Sequence, residues 1–293
     1  MASRTQGILL GCGFLAVGGA FVLIMFFVLG SVVGRDFGFA SLSRNKIGLV
    51  EIEGPIAGSR HWVEEIEANR RDPSIKAVVI RVDSPGGDVA SSQELYQAVR
   101  RLRAEKPVVA SLGSVAASGG YYAVVAADSI LANPGTLTGS IGAVFEFPTL
   151  TDLLQKIGVR YHVYKSGRLK DMGSFARPPS EEDEEILDSI IADVYDQFVQ
   201  AVSDGRGMTR EEILPLADGR VFSGRQAMEV GLVDRMGDLH EAVATAARAA
   251  DLGGVPQVVR KARPRGTLYY FLDRLLRETS LVRSSPTLSY RFQ

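Results

Sequence analysis

"PVVASLGSVAASGGYYAVVAAD", residues Pro107–Asp128, decides the fold. The opening "PVVASLG" is apolar and β-branched, as a buried strand is. From Ser118 onward come two glycines and then an apolar run that reads as a helix. A strand that feeds straight into a helix is the repeating unit of a layered α/β fold. The junction itself is Ser118-Gly119-Gly120. Serine and glycine are common in turns and helix caps, so a structural turn is one account of it. The other is a nucleophile whose carbonyl adduct is held by backbone N–H groups at a helix start.

The same alternation continues on both sides. "KIGLVEIE" (46–53) alternates like a strand and breaks at Gly54-Pro55. "HWVEEIEANRRD" predicts a helix that ends near Asp72-Pro73. "IKAVVIRVD" (75–83) is short, β-branched and nearly continuous, as a buried strand is. After it, "SPGGDVASSQELYQAVRRLRAEK" has a glycine turn, Asp88 near an N-cap, and an apolar stripe at Val89, Leu95, Val99 and Leu102. "SILANP" and "RYHVYK" are predicted as later strands. Strands alternating with helices imply a right-handed layered α/β arrangement.

From Ser180 the pattern becomes helical. "SEEDEEILDSIIADVYDQFVQAVSDGRG" has an acidic first turn, which suits the helix dipole. Its apolar positions Ile186, Ile190, Val194, Phe198 and Val202 recur at helical spacing, as a packing face does, and end before Gly205. "MTREEILPLAD", "SGRQAMEVGLVD" and "DLHEAVATAARAAD" are shorter helices; the first two open with Thr or Ser as caps. From Arg260 to Gln293 the tail holds eight Lys/Arg and two acidic residues. Leu268, Phe271, Leu272, Leu275 and Leu276 would share one face of a basic amphipathic helix, suited to a membrane surface or a partner subunit.

Composition narrows the function. The chain has 293 residues, 46% hydrophobic and 23% charged, with a formal net charge of -1. No nucleic-acid footprint is present in that balance. Three histidines and one cysteine leave little material for a zinc or iron–sulfur site, and no disulfide is possible within the chain. No metal and no cofactor is expected. Gly7–Gly34 is a run of 28 residues without a charge, longer than the apolar core of a cleaved signal peptide. It predicts one uncleaved transmembrane helix. Arg4 precedes this run and Arg35, Arg44 and Lys46 follow it, so the flanking charges lean against an N-in orientation. The organisation expected is a short tail (1–6), the membrane helix (7–34), a linker (35–45), the main folded domain (46–259) and the basic tail (260–293).

Three elements carry the chemistry. "DSPGGDV" (83–89) puts two glycines after a buried strand, so the backbone can approach a ligand closely. It lacks the Lys-Ser/Thr of a phosphate loop. The second element is the Ser118 junction. The third is "VYKSGRLKDMGSFARPPS" (163–180), with Lys165 and Lys170 in a Gly- and Ser-containing loop. His61, His162 and His240 lie in helix or strand patterns without a loop context. A hydrolase lacking a histidine base can use a lysine, provided burial makes the neutral amine accessible.

"DSPGG", "SVAASGGYY", "TLTGSIG" and "KSGRLKDMGSFAR", in this order and spacing, resemble bacterial signal peptide peptidase A of the short, single-domain type, in peptidase family S49. The resemblance covers roughly residues 46–245. It implies a ClpP/crotonase-like layered α/β fold of repeated β-β-α units, here preceded by one transmembrane helix. It implies Ser118 as nucleophile, Lys170 as general base and Ser140 as the serine that orients that lysine. It also implies an oxyanion hole from the backbone N–H groups of Gly87 and Gly119. Lys165 and Ser166 do not match the pattern and fall to structural or substrate-contact roles.

The resemblance further implies a ring-shaped homo-oligomer anchored in the bacterial inner membrane, with its catalytic domain on the extracytoplasmic side. Its substrates would be signal-peptide remnants and other extended apolar peptides, with small or apolar side chains preferred. Three rivals share the fold: a protease acting mainly on a membrane-associated partner protein, a non-catalytic membrane scaffold, and an acyl-CoA enzyme. The scaffold is disfavoured by the intact Ser118, Ser140 and Lys170. The acyl-CoA enzyme would need neither Ser118 nor Lys170.

Overall fold

In chain order the elements are β1 (Lys46–Glu53), α1 (Arg60–Arg71), β2 (Ile75–Ser84), β3 (Gly86–Asp88), α2 (Val89–Arg103), β4 (Val108–Ala117), α3 (Gly119–Val124), β5 (Ser129–Ala132), β6 (Leu137–Gly139), β7 (Val144–Glu146), α4 (Thr151–Lys156), α5 (Glu181–Arg206), α6 (Arg210–Ile213), β8 (Val221–Ser223), α7 (Gly224–Glu229), β9 (Arg235–Met236), α8 (Leu239–Ala249), β10 (Gln257–Arg260) and β11 (Thr287–Arg291). The structure is a computed structural model that describes residues 45–260 and 287–291. The chain divides into two units, Met1–Ser43 and Arg44–Gln293, and the described residues lie in the second. The membrane helix expected at 7–34 and the helical face expected at Leu268–Leu276 lie outside the described residues.

The main sheet runs β10-β1-β2-β4-β5-β9, with every neighbouring pair parallel. β6 lies parallel to the far half of β4 and antiparallel to β8, so the sheet is mixed. A second, antiparallel sheet has the order β3-β11-β7. The α/β character expected from the sequence is borne out.

Strand alternation divides the core between the two faces of the main sheet. Val50, Ile52, Val78, Ile80 and Val82 point to one face and pack with Leu95, Val99 and Leu102 of α2 and Tyr121 of α3. Ile47, Leu49, Ala77, Val79 and Val109 point to the other and meet Ala242, Ala246 and Ala247 of α8. Each buried Val, Leu or Ile contributes on the order of 1.5–3 kcal/mol.

One irregularity aims the chain at the site. β4 pairs with β5 through Val109–Leu112 and with β6 through Val115–Ala117. On its other side the register against β2 shifts between Val82 and Ser84. Asp83 fills that shift: its carboxylate accepts from the N–H groups of Val115 (3.1 Å) and Ser114 (3.4 Å). A Cβ at Gly113 would stand 2.8 Å from Asp83 Oδ2, so glycine lets the strand pass. Thr136 and Thr138 hydroxyls donate to the Gly113 and Ala116 carbonyls and hold β6 against the bend.

Two sequence expectations need correction. "RYHVYK" (160–165) forms no strand: the segment is exposed, no sheet edge among the described residues meets it, and the Tyr161 ring rests on Phe175 at 5.2 Å. The helix after Ser118 ends at Val124, short of Asp128. The Asp128 N–H donates back to the Val108 carbonyl, which turns the chain directly into β5. The helix from Ser180 begins with a capping box between Ser180 and Asp183. It passes through Gly205, where any Cβ would strike the Val125 carbonyl, and closes at Gly207 with φ 64°.

Candidate active site

Ser118 is the residue between β4 and α3, with φ 54° and ψ -121°. That backbone region is costly for a residue with a Cβ, by about 1–3 kcal/mol. It is held there from both sides. The Ser118 N–H donates to the Gly139 carbonyl (2.8 Å), which carries the β4–β6 ladder one residue past the strand, and its own carbonyl accepts from Tyr122 N–H (2.8 Å). The side chain makes no capping bond to α3, so the helix-cap account of the motif fails. Ser118 is only 1% exposed.

Gly119 and Gly87 meet beside it. A Cβ at Gly119 would lie 2.5 Å from Ser92 Oγ, and 3.1 Å from both the Gly87 nitrogen and the Tyr290 carbonyl oxygen. A Cβ at Gly87 would press into the Ile56 backbone. Ile56 N–H donates to the Gly86 carbonyl (2.8 Å) and Asp88 N–H to the Ile56 carbonyl (2.7 Å), so the segment after β1 clamps β3 in place. Ser140, next to Gly139, also has a positive φ of 51°, is buried, and donates its N–H to the Arg220 carbonyl (2.8 Å). The ends of β3, β4 and β6 thus gather Ser118, Gly119, Gly87 and Ser140.

Lys170 stands apart. It is exposed, its N–H turns back to the Gly167 carbonyl (3.2 Å), and no hydrogen bond or ion pair among the described residues joins it to Ser118 or Ser140. Lys165 is occupied: its ammonium donates to Asp171 Oδ1 and to the Arg168 carbonyl, both at 2.7 Å. Asp171 also accepts from Arg177 (2.9 Å), and the Arg177 and Lys165 bonds hold its carboxyl down at about 2. Arg177 in turn binds the buried Asp183, whose carboxyl is likewise held far below the ordinary range by that guanidinium. This cluster ties the lysine loop to the first turn of α5. Of the histidines, His61 lies against Trp62 on α1 (3.9 Å between rings), His162 is exposed, and His240 is on α8, across the sheet from α3.

Sequence reasoning missed several supports. Asp83 stood in the quoted "DSPGG", but only the register shift reveals its work. Ile56 and Ser92 had no signal at all. Tyr122 and Phe198 were in apolar runs read as packing, and they form an aromatic pair (4.7 Å) beside the site.

Comparison with known proteins now bears on this geometry. Residues 100–253 match peptidase family S49, a span that includes Ser118, Gly119, Ser140 and Lys170 and leaves Gly87 outside. Over 215 residues the chain is 43% identical to a Synechocystis sp. protein named as a protease (slr0021), covering 73% of this chain and 78% of that one. The chain belongs to peptidase family S49. It is a serine peptidase, and the resemblance drawn from its four motifs is borne out. This S49 peptidase is also 36% identical over 213 residues to the chloroplastic serine protease SPPA of Arabidopsis thaliana, covering 72% of this chain but only 31% of that protein. Among solved structures, a point mutant of ClpP1 from Listeria monocytogenes superposes with a TM-score of 0.46 and 15% identity, over 66% of this chain and 93% of that one.

Proposed function

We propose that this S49 serine peptidase is a membrane-anchored endopeptidase that uses Ser118 as nucleophile and Lys170 as general base on extended apolar peptides, signal-peptide remnants among them. The observation that carries the reading is the Ser118 backbone. A buried serine held at positive φ, with its hydroxyl spent on no helix cap, is the arrangement of an aimed nucleophile. In the reaction Ser118 Oγ adds to the peptide carbonyl, and the Gly87 and Gly119 N–H groups hold the oxyanion. Lys170 takes the serine proton and passes it to the leaving amine. Water, activated by the same amine, then hydrolyses the acyl-enzyme.

No hydrogen bond among the described residues joins Lys170 to Ser118 within one chain, and in the proposed mechanism the dyad forms on assembly, with Lys170 delivered by a neighbouring copy in a ring. The exposed Leu153, Ile157, Val159, Tyr161, Val163 and Tyr164, on and beside the lysine loop, support a contact with another copy there. The apolar run at 7–34 supports anchoring in the inner membrane, with the catalytic domain on the extracytoplasmic side.

The test is cleavage of a fluorogenic apolar peptide by the full chain in detergent, as wild type, Ser118→Ala, Lys170→Ala and Lys165→Ala. Loss of turnover in the first two variants, with activity retained in Lys165→Ala, is expected. Turnover that survives Ser118→Ala refutes the nucleophile.

A further inference from the structure

We propose that the edge of the main sheet where β1, β2 and β4 begin is a seat for anionic phospholipid head groups. Docked there, the fold holds Ser118 at its end away from the bilayer. This rests on the membrane-anchored reading above.

The topology gathers cations at that edge. In a parallel sheet each connecting helix runs back, so it ends where the strands begin. α1 ends in Arg70 and Arg71, and α2 ends with Arg101 and Arg103, with Lys106 just beyond. β1 opens on Lys46, opposite Ile75, and β2 carries Lys76 as its second residue. The Lys106 ammonium donates to the carbonyls of Asn69 (2.7 Å) and Asp72 (2.6 Å), which ties the two helix ends together. Burial pushes that ammonium toward its neutral form. Asp72 and Glu105 oppose the push and Lys76 and Arg70 add to it, so these four groups surround it.

These seven cations face four carboxylates, Glu67, Asp72, Glu105 and Asp128. Glu67 alone is shared by Arg70 (2.8 Å), Arg101 (2.8 Å) and Arg71 (3.9 Å). One carboxylate cannot saturate three guanidinium forks, and the Arg71 side chain stays 74% exposed. No salt bridge among the described residues reaches Lys46 or Lys76. Helix dipoles call for cations at the ends of α1 and α2, yet they do not account for two lysines that belong to strands.

The opposite edge has the opposite sign. The far ends of β1, β2 and β3 and the beginnings of α1 and α2 carry Glu53, Asp83, Asp88, Glu64 and Glu94 against Arg60. A net charge of -1 thus conceals a fold that is basic at one end and acidic at the other. A negative lipid surface attracts the first and repels the second. The covalent path agrees. The apolar run ends at Gly34, and residues 35–45 lead straight to Lys46, a reach of at most about 40 Å. Ser118 follows the ten residues of β4, up to about 30 Å from the basic edge. A peptide must then leave the hydrocarbon layer to meet it.

The test uses the full chain carrying Cys12→Ser, with one new cysteine for a fluorophore. Pro73→Cys places it in the exposed turn at the basic edge, and Ala57→Cys places it on the exposed segment after the far end of β1. Each protein is reconstituted into phosphatidylcholine vesicles, with or without phosphatidylglycerol, that carry a head-group quencher. Phosphatidylglycerol should raise quenching at position 73 and not at 57, and salt should reverse the rise. Each cation near such a surface is worth about fivefold, so Lys46→Gln, Arg71→Gln and Lys76→Gln together should lower the ratio of docked to undocked fold by ~100-fold. Glu105→Gln should raise that ratio about fivefold. Equal quenching at 73 in both vesicles, stronger quenching at 57, or a triple variant that docks like wild type overturns the inference and leaves the anchor standing. A chain recovered free of both kinds of vesicle overturns the anchor and the inference together.

Discussion

Gly119→Ala separates the folding role of that glycine from its proposed role in chemistry. The new methyl would stand 2.5 Å from Ser92 Oγ, a hydroxyl already tied to the Asp88 carbonyl at 2.9 Å. Relieving that clash moves α2 or breaks the Ser92 bond, an overpacking cost of about 1–3 kcal/mol. The same methyl would stand 3.1 Å from the Gly87 nitrogen and from the point now held by the Tyr290 carbonyl oxygen. A substrate carbonyl is then pushed off the Gly87 N–H. Loss of one oxyanion donor lowers kcat by about 10²- to 10³-fold. Adding Ser92→Ala removes the first clash and leaves the second. The double variant should therefore regain most of the lost melting temperature and little of the lost kcat. Thermal unfolding and turnover of a fluorogenic apolar peptide, measured on the same preparations, read both effects. Turnover by Gly119→Ala within about threefold of wild type would refute the assignment of the glycine cradle as the oxyanion site.

Other outcomes follow from the same geometry. If Lys170 serves a neighbouring copy, Ser118→Ala and Lys170→Ala chains co-expressed in equal amounts should form active sites at about a quarter of the interfaces of a head-to-tail ring, giving ~25% of wild-type turnover; mixed assemblies with no activity refute delivery across subunits. Asp83→Leu removes the acceptor for the Val115 and Ser114 N–H groups, so kcat should fall with KM little changed, because the aim of β4 and not the peptide cleft is disturbed; an altered KM alone counts against this. The low carboxyl of Asp171 gives a signed pH effect: its native-state value lies below the unfolded one of ~4, so the Lys165–Asp171–Arg177 cluster stabilises fully at neutral pH and loses that contribution as pH falls through the ordinary carboxylate range toward 2. Hydrogen-exchange protection of residues 165–183, taken relative to the intrinsic amide exchange rate at each pH, should fall between about pH 4 and 2 and stay level from about pH 8 to 5, and Arg177→Met should bring the fall to higher pH.

Much of this was legible in the sequence because its causes are local. The strands at 46–53 and 75–83, and the stripe Val89, Leu95, Val99 and Leu102, followed from periodicity, since each buries the face its pattern presents. The turn at Ser118-Gly119 and the close approach at Gly87 were legible because paired glycines after a buried strand mark such junctions, while the roles assigned to these residues came from the family resemblance. "RYHVYK" was misread because alternation says a segment could pair, not that an edge is there to receive it. The supports from Asp83, Ile56 and Ser92 were hidden because each acts on a distant stretch of chain through a register shift or a single close approach, which no local pattern encodes. β11 was hidden for the same reason: five residues at the end of a basic tail find their partners some 140 to 200 positions earlier.

The two halves of the site have different physical status, and that decides how the enzyme can be controlled. The Ser118 half of the proposed site is over-determined. Ser118 is fixed by the β4–β6 ladder, the Asp83 carboxylate and the start of α3, and Gly87 is fixed by the Ile56 clamp. Most of these contacts are backbone bonds at buried residues, with the Asp83 carboxylate half-buried, so this half should keep its shape through substrate binding. Lys170, the proposed base, lies in an exposed loop held by ion pairs that screen with salt and weaken in acid. If Lys170 is the base, conditions that loosen the loop remove it while leaving the strained serine intact. Raising salt should depress turnover of a neutral peptide more than it depresses labelling of Ser118 by a small phosphonate at saturating concentration. Equal sensitivity of the two would mean that the halves move together, and that Lys170 is held by more than the Asp171 cluster.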